Sequence, residues 1–264
     1  MTSKEVKSSK IKGKDLAHKG GKLRDIYDSY ILHLNERKMD RRYRGDARHF
    51  HSSQAGLCAR KHYFHAVEHE EPVQPSGDSL RLFRLGDVVH TDIQDAIRWW
   101  ATIEGEPIFI EKEILMESYG VKGFIDFAYI SEGTLYDIKT CNSWKWKMMF
   151  GRDGSESNSS ENYAMQIGTY GLWYNETHGA DLAGLKLTYY KKDDSTMREI
   201  DISLDYIDAA KEYWTQIKDF TGKGVPPVKL GLAPVYAWEC NPKYCGYYDI
   251  CGGGINTIKK VEGG

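Results

Sequence analysis

From Lys22 to Arg37 the apolar residues Leu23, Ile26, Tyr27, Tyr30, Ile31 and Leu34 recur at spacings of three and four, which predicts a helix. A second helix is expected after Ser52 and Ser53, either of which can cap it, and it carries Cys58, His62 and His65. Residues 72–78 read as a loop. A third helix is predicted over residues 79–103, and Gly105-Glu106-Pro107 stops it. The pattern then shortens to strands. Residues 107–117 alternate loosely around Ile108, Ile110, Ile114 and Met116; residues 121–130 and 134–140 form two more, with Ser131-Glu132-Gly133 between them short enough for a hairpin. Residues 151–160 have the composition of a flexible loop. A helix over 161–177, a strand over 185–191 and a helix over 205–220 follow, and the stretch from Pro226 is rich in loop residues. With no internal repeat and no clear linker, residues 22–264 read as one α/β domain, a central mixed sheet flanked by helices.

Composition changes this picture little. A chain of 264 residues suits one large domain or two small ones, and 36 Lys and Arg against 38 Asp and Glu make no overall case for nucleic acid. The distribution is more telling: residues 1–50 hold 14 basic against 7 acidic groups, and the remainder holds 22 against 31. Residues 1–21 therefore read as a basic, disordered arm, either a solubilising tail or a non-specific phosphate contact. The polar first 30 residues argue against a secretory signal, and no apolar run is long enough to span a membrane. A cytoplasmic location and no membrane partner are expected. Five cysteines without an export signal argue against a disulfide scaffold and leave metal binding or burial open.

Chemistry concentrates in Gly123-Phe124-Ile125-Asp126 and Asp137-Ile138-Lys139. Both aspartates sit among apolar residues on consecutive strands, where a carboxylate is costly unless it is paired or binds metal. Asp137 and Lys139 are two apart and share a strand face. Two carboxylates beside an ammonium suit a divalent ion and a polarised water, the equipment of metal-assisted hydrolysis; an exposed ion pair on a strand edge is the plainer alternative. Upstream, Arg84, Gly86 and His90 lie on the third helix. Gly86 and His90 are four apart on one helix face, and a mid-helix glycine needs a reason such as close approach of another backbone. A neutral imidazole there is a good ligand for Mn²⁺. Downstream, Gln166 and Tyr170 are also four apart, and both can hydrogen-bond to phosphate or to a lysine. Trp144-Lys145-Trp146-Lys147 interleaves rings with charges, which suits stacking on a single strand or plain packing under a loop.

Cys240, Cys245 and Cys251 form a close trio, and Cys58 stands far upstream. Four thiolates suit tetrahedral zinc or an iron–sulfur cluster. Zinc ribbons usually carry two close pairs, a pattern this set fits poorly. Cys141 reads as an ordinary buried residue.

Taken in order, Cys58, Arg84-x-Gly86-x-x-x-His90, Gly123-x-x-Asp126, Asp137-x-Lys139, Gln166-x-x-x-Tyr170 and the cysteine trio resemble the iron–sulfur branch of the RecB-like PD-(D/E)XK nucleases, similar to the CRISPR-adaptation exonucleases and the AddB nuclease domain. The resemblance covers residues 52–251, with aspartate at 137 where many members have glutamate and a four-residue first gap in the trio where two is more usual. It implies a restriction-endonuclease-like core with an iron–sulfur clasp joining an N-terminal helix to the C-terminal segment. It further implies a Mg²⁺- or Mn²⁺-dependent DNA exonuclease acting on single-stranded or end-frayed DNA. His90, Asp126, Asp137 and the Ile138 carbonyl would bind the metal. Lys139 would orient the attacking water, Gln166 and Tyr170 would position Lys139 or the DNA, Arg84 would contact phosphate, and the four cysteines would hold a [4Fe–4S] cluster. The alternatives are a zinc-stabilised nuclease and a DNA-end-binding subunit of a larger recombination, repair or CRISPR-adaptation assembly.

Overall fold

The structure, a computed structural model, describes residues 21–43, 49–67, 76–151, 161–179, 182–224 and 239–251. The basic arm, the 152–160 segment and much of the C-terminal loop region expected from sequence lie outside these residues. The chain divides into two compact units, residues 1–44 with 75–84, and residues 45–74 with 85–264. In the first, helix α1 (Lys22–Tyr43) meets the opening turns of helix α3 (Gly77–Glu104). Arg81 pairs with Asp28 and Asp78, and Arg24 lies 3.6 Å from Asp28 and 3.7 Å from Asp78.

The second unit is built on a six-stranded mixed sheet. Strands β2 (Ile108–Met116) and β3 (Val121–Tyr129) pair antiparallel along their length. The other edge of β3 is shared. Its last three residues pair antiparallel with β4 (Thr134–Cys141), through Phe127↔Tyr136 to Tyr129↔Thr134, and its first two pair in parallel with β1 (Phe50–His51). Between them a stretch of β3 edge is left with neither neighbour. Strand β4 continues in parallel with β5 (Gly184–Lys191), and β6 (Met197–Ile202) closes the far edge antiparallel to β5. The β3–β4 hairpin turns at Gly133, which takes a left-handed φ of 62°.

Helices α4 (Ser143–Phe150) and α5 (Glu161–His178) connect β4 to β5. α5 is buried nearly all round, from Ala164 to Tyr174, as a helix enclosed by other elements must be. It contacts β4 and β5, while α6 (Asp205–Lys223) packs on it. The approach is close at Gly168, where a Cβ would stand 2.2 Å from the Tyr206 carbonyl oxygen. Trp214 on α6 is fully buried and donates its indole N–H to Thr169 Oγ1 at 2.9 Å. Ile125, Leu135, Ile167, Leu185 and Leu187 complete the dry centre of this core. Among the described residues no helix is long and apolar enough to cross a membrane.

Two sequence expectations need correction. Ser52 does not cap a helix; residues Ser52–Gln54 form a 3-10 turn, and α2 (Ala59–Val67) begins seven residues later. The Cys58 N–H before it is taken by the Glu239 carboxylate, at 3.0 and 3.2 Å. α3 starts at Gly77, inside the stretch expected to be loop. Three elements were also missed: β1 is too short to show a period, β6 is an exposed edge strand, and α4 carries Trp, Lys and Met without one apolar face.

Gly168→Ala places its methyl against backbone that cannot yield without shifting α6. A loss of about 1–3 kcal/mol in unfolding free energy is expected, measured by urea denaturation.

Candidate active site

The site forms where the β3–β4 ladder stops. Beyond Phe127↔Tyr136 the strands part, and the Ile138 N–H donates to the Asp126 carboxylate, Oδ2, at 2.7 Å. A side chain thus replaces the backbone acceptor at that rung, and it ties the two motif strands together. Asp137 is 1% exposed. Its Oδ1 accepts from Gln166 Nε2 at 3.1 Å, and its Oδ2 lies 2.6 Å from Lys139 Nζ. That short contact joins the ammonium to the carboxylate. Lys139 also donates to Gln166 Oε1 at 2.9 Å. The amide of Gln166 therefore bridges carboxylate and ammonium, and its Nε2 also donates to Tyr170 Oη at 2.7 Å.

From α3, His90 brings Nδ1 to 3.7 Å from Asp126 Oδ2. Gly86, one turn before, lets the helix come close to β4: a Cβ there would stand 3.3 Å from Thr140 Oγ1. The neighbour is a side chain, not the backbone expected from sequence. Gln94, one turn after His90, donates from Nε2 to Glu111 Oε1 at 2.6 Å. Glu111 is a site residue that sequence reading missed. Its flanking pairs, Ile110↔Phe127 and Lys112↔Ile125, place it across from Asp126, and it holds a left-handed φ of 50° that is uncommon for a non-glycine residue.

Burial governs the charges. It pushes the Asp126 carboxyl up to about 6, against the pull of Lys139 and the Ile138 N–H, and Glu111 adds to the rise. Asp137 is likewise pushed up to about 6 by burial, with Lys139 opposing and Asp126 reinforcing. Burial disfavours the Lys139 ammonium, but Asp137 and Asp126 outweigh it and hold its pKa above the ordinary value. His90 is held below its usual range by burial and by Lys139, so its imidazole is neutral near pH 7. Glu111 thus adds to the resistance of Asp126 to ionisation and Asp126 to that of Asp137, with Lys139 opposing both.

Among the described residues no three His, Cys, Asp or Glu side chains are gathered so as to hold a metal ion. The donor chemistry nevertheless fits a divalent cation: two buried carboxylates and a neutral imidazole beside them.

The four cysteines of the clasp expectation, Cys58, Cys240, Cys245 and Cys251, carry free thiols and line one cavity with Arg60, Lys61, Glu239 and Tyr247. Arg60 Nε lies 3.1 Å from Cys251 Sγ. Burial pushes the Cys58 thiol up to about 11 and raises Cys245. Tyr63 and Phe64 of α2 pack on Tyr247, Cys245 and Cys251 as a small separate core. The donor set suits a thiolate-bound metal centre, although the sulfurs are not drawn together. Cys141 is buried in the main core, apart from these four.

The aromatic–basic stretch falls on α4, capped by Asn142 Oδ1, which accepts from the Lys145 N–H at 2.8 Å. Its two tryptophans separate. Trp144 is 69% exposed, while Trp146 packs on Phe150 at 4.7 Å. Lys145 Nζ lies 5.2 Å from the Tyr163 ring centre, and Lys139 Nζ 4.9 Å from the same ring, so Lys145 stands beside the site; Lys147 is exposed. Arg84 is half-buried on α3 as the last residue of the first unit.

No protein-family model and no curated protein sequence matches the chain. Among solved structures, the crystal structure of SSO0001 is similar at a TM-score of 0.50 and 17% identity, over 88% of this chain and 96% of that one. A phage related exonuclease from Haemophilus somnus 129PT is similar at a TM-score of 0.40 and 12% identity, over 62% of this chain and 79% of that one. LHK-Exo in complex with dAMP follows at 0.36 and 14%, over 66% and 90%. The likeness to SSO0001 is one of fold. The fold is a mixed sheet flanked by helices.

The Asp126 carboxyl ordinarily titrates at 3.8 and here at about 6. Its ionisation therefore destabilises the metal-free fold as pH rises from about 4 to about 6, with the full loss above that. Asp126→Asn, which keeps an acceptor for the Ile138 N–H, is expected to exceed wild type by roughly 2–3 kcal/mol at pH 7.5 in chelator. The gain closes toward pH 4, as thermal melts at both pH values will show.

Proposed function

We propose that the protein is a metal-dependent DNA nuclease of the PD-(D/E)XK type, an exonuclease acting on single-stranded or end-frayed DNA. The observation that carries the reading is the Asp126–Asp137–Lys139 constellation: two buried carboxylates on neighbouring strands with one ammonium 2.6 Å from Asp137 Oδ2. Asp126, Asp137, His90 and the Ile138 carbonyl would hold Mg²⁺ or Mn²⁺. When bound, that ion supplies a polarised water and offsets charge on the scissile phosphate.

The chain's own groups do the rest. Lys139, held between Asp137 and Gln166 Oε1, orients the attacking water and places positive charge where the phosphorane develops it. Gln166 fixes the direction of that amine, and Tyr170 steadies Gln166. Burial of this network excludes bulk water, which strengthens each charge interaction. Exposed Trp144 gives a base a face to stack on, and Lys145 and Lys147 follow the phosphate backbone with it. Arg84 is assigned a phosphate contact on its charge and motif position.

A [4Fe–4S] cluster held by the four cysteines that line one cavity would clasp α2 to the C-terminal segment. Hydrolysis moves no electrons, so the role of this group is mechanical. The resemblance in motif order extends this reading to the iron–sulfur branch of the RecB-like nucleases, working on DNA ends alone or within a recombination or CRISPR-type assembly.

With Mn²⁺ or Mg²⁺, wild type is expected to degrade linear single-stranded DNA and leave closed circles intact. Lys139→Ala and Asp126→Ala should each lose about 10²–10³-fold in rate, read on end-labelled gels. Equal cutting by all three proteins refutes the site, and binding of ends without cutting favours the DNA-end-binding role instead. Protein purified without oxygen is expected to be brown with broad visible absorption. A colourless preparation containing zinc would remove the cluster and leave the nuclease site as it stands.

A further inference from the structure

The turn at Ser52 and the glycine of Gly123-x-x-Asp126 meet at a point that the reading above does not use. Pairing of Phe50 and His51 with Val121 and Lys122 brings the next residue, Ser52, alongside Gly123. A Cβ on Gly123 would stand 2.0 Å from Ser52 Oγ and 2.7 Å from Ser52 Cβ. The glycine is there because the serine side chain fills its space. Ser52 is 2% exposed, and its hydroxyl donates to Tyr170 Oη at 3.3 Å.

The consequence lies in hydrogen-bond direction. A glutamine amide can be turned over at almost no steric cost, which exchanges its acceptor for its donor. In this site only one orientation works. Oε1 takes the Lys139 ammonium, and Nε2 gives its two hydrogens to Asp137 Oδ1 and Tyr170 Oη. The Tyr170 oxygen, with donors arriving from both Ser52 and Gln166, cannot point its own hydrogen at Gln166. Take Ser52 Oγ away and that hydrogen is free to turn onto the amide. The turned amide then sets Nε2 against the Lys139 ammonium and Oε1 against the Asp137 carboxylate, so donor faces donor and acceptor faces acceptor.

Resting on the nuclease reading, we propose that Ser52 is a positioning residue for that reaction: it fixes the Tyr170 hydroxyl, which fixes the Gln166 amide, which holds the Lys139 amine beside Asp137. Gly123 serves the same end by making room for Ser52.

The test uses the full chain as wild type, Ser52→Ala, Tyr170→Phe, the double variant and Lys139→Ala. DNA digestion is measured at saturating Mn²⁺ and at a temperature where melting curves show every variant folded. Ser52→Ala is expected to lower kcat by about 10–100-fold, with KM held within about twofold. In the Tyr170→Phe background the same change should do nothing further, because its only route is through that hydroxyl. Wild-type kcat in Ser52→Ala overturns the proposal, as does a loss that simply multiplies that of Tyr170→Phe. A wild type that leaves DNA intact, or a Lys139→Ala that cuts normally, overturns the nuclease reading, and this proposal with it.

Discussion

The hydrogen bond from the Ile138 N–H to the Asp126 carboxylate is the interaction on which the rest of the site depends. At that rung β3 and β4 have already separated, which would leave a buried N–H without a backbone acceptor, at about 1–3 kcal/mol. Asp126 supplies the acceptor from a side chain, so the strands can part without that loss. The gap admits the ends of other elements. β1 takes the far part of the same β3 edge, Ser52 follows it inward, and Gln166 and Tyr170 enter from α5.

The same geometry concentrates like charge. Asp126, Asp137 and Glu111 approach one another around a single lysine, and both buried aspartates resist ionisation. The chain accepts this arrangement and adds backbone strain to it: Glu111 holds a left-handed φ while Gln94, itself buried, grips its carboxylate. Strain of this sort persists where surrounding structure over-determines it, and it clusters at working sites.

The chemistry was legible in the sequence where spacing is diagnostic. Asp137 and Lys139 share a strand face because side chains alternate, and Gln166 with Tyr170, or Gly86 with His90, share a helix face because four residues make about one turn. Those rules need no partner element. Ser52 and Glu111 were invisible for the opposite reason: each matters through a residue far along the chain or across a strand, and no local period marks either. Local propensity even misled at Ser52, whose residue type fits a helix cap, while the true partner of the α2 start is Glu239, 181 residues from Cys58. β1 and α4 escaped similarly, being held by tertiary neighbours and not by their own pattern.

That Glu239 contact bears on the order in which the molecule can assemble. Closing a loop of about 180 residues costs roughly 4–5 kcal/mol in chain entropy before any contact repays it, and contacts so far apart in sequence form slowly. Strands β2 to β6 and helices α5 and α6 lie within that loop and shorten it once they are formed. The Glu239 carboxylate beside Cys240 meets the Cys58 N–H where that loop closes, and the four thiols line one cavity at the same closure.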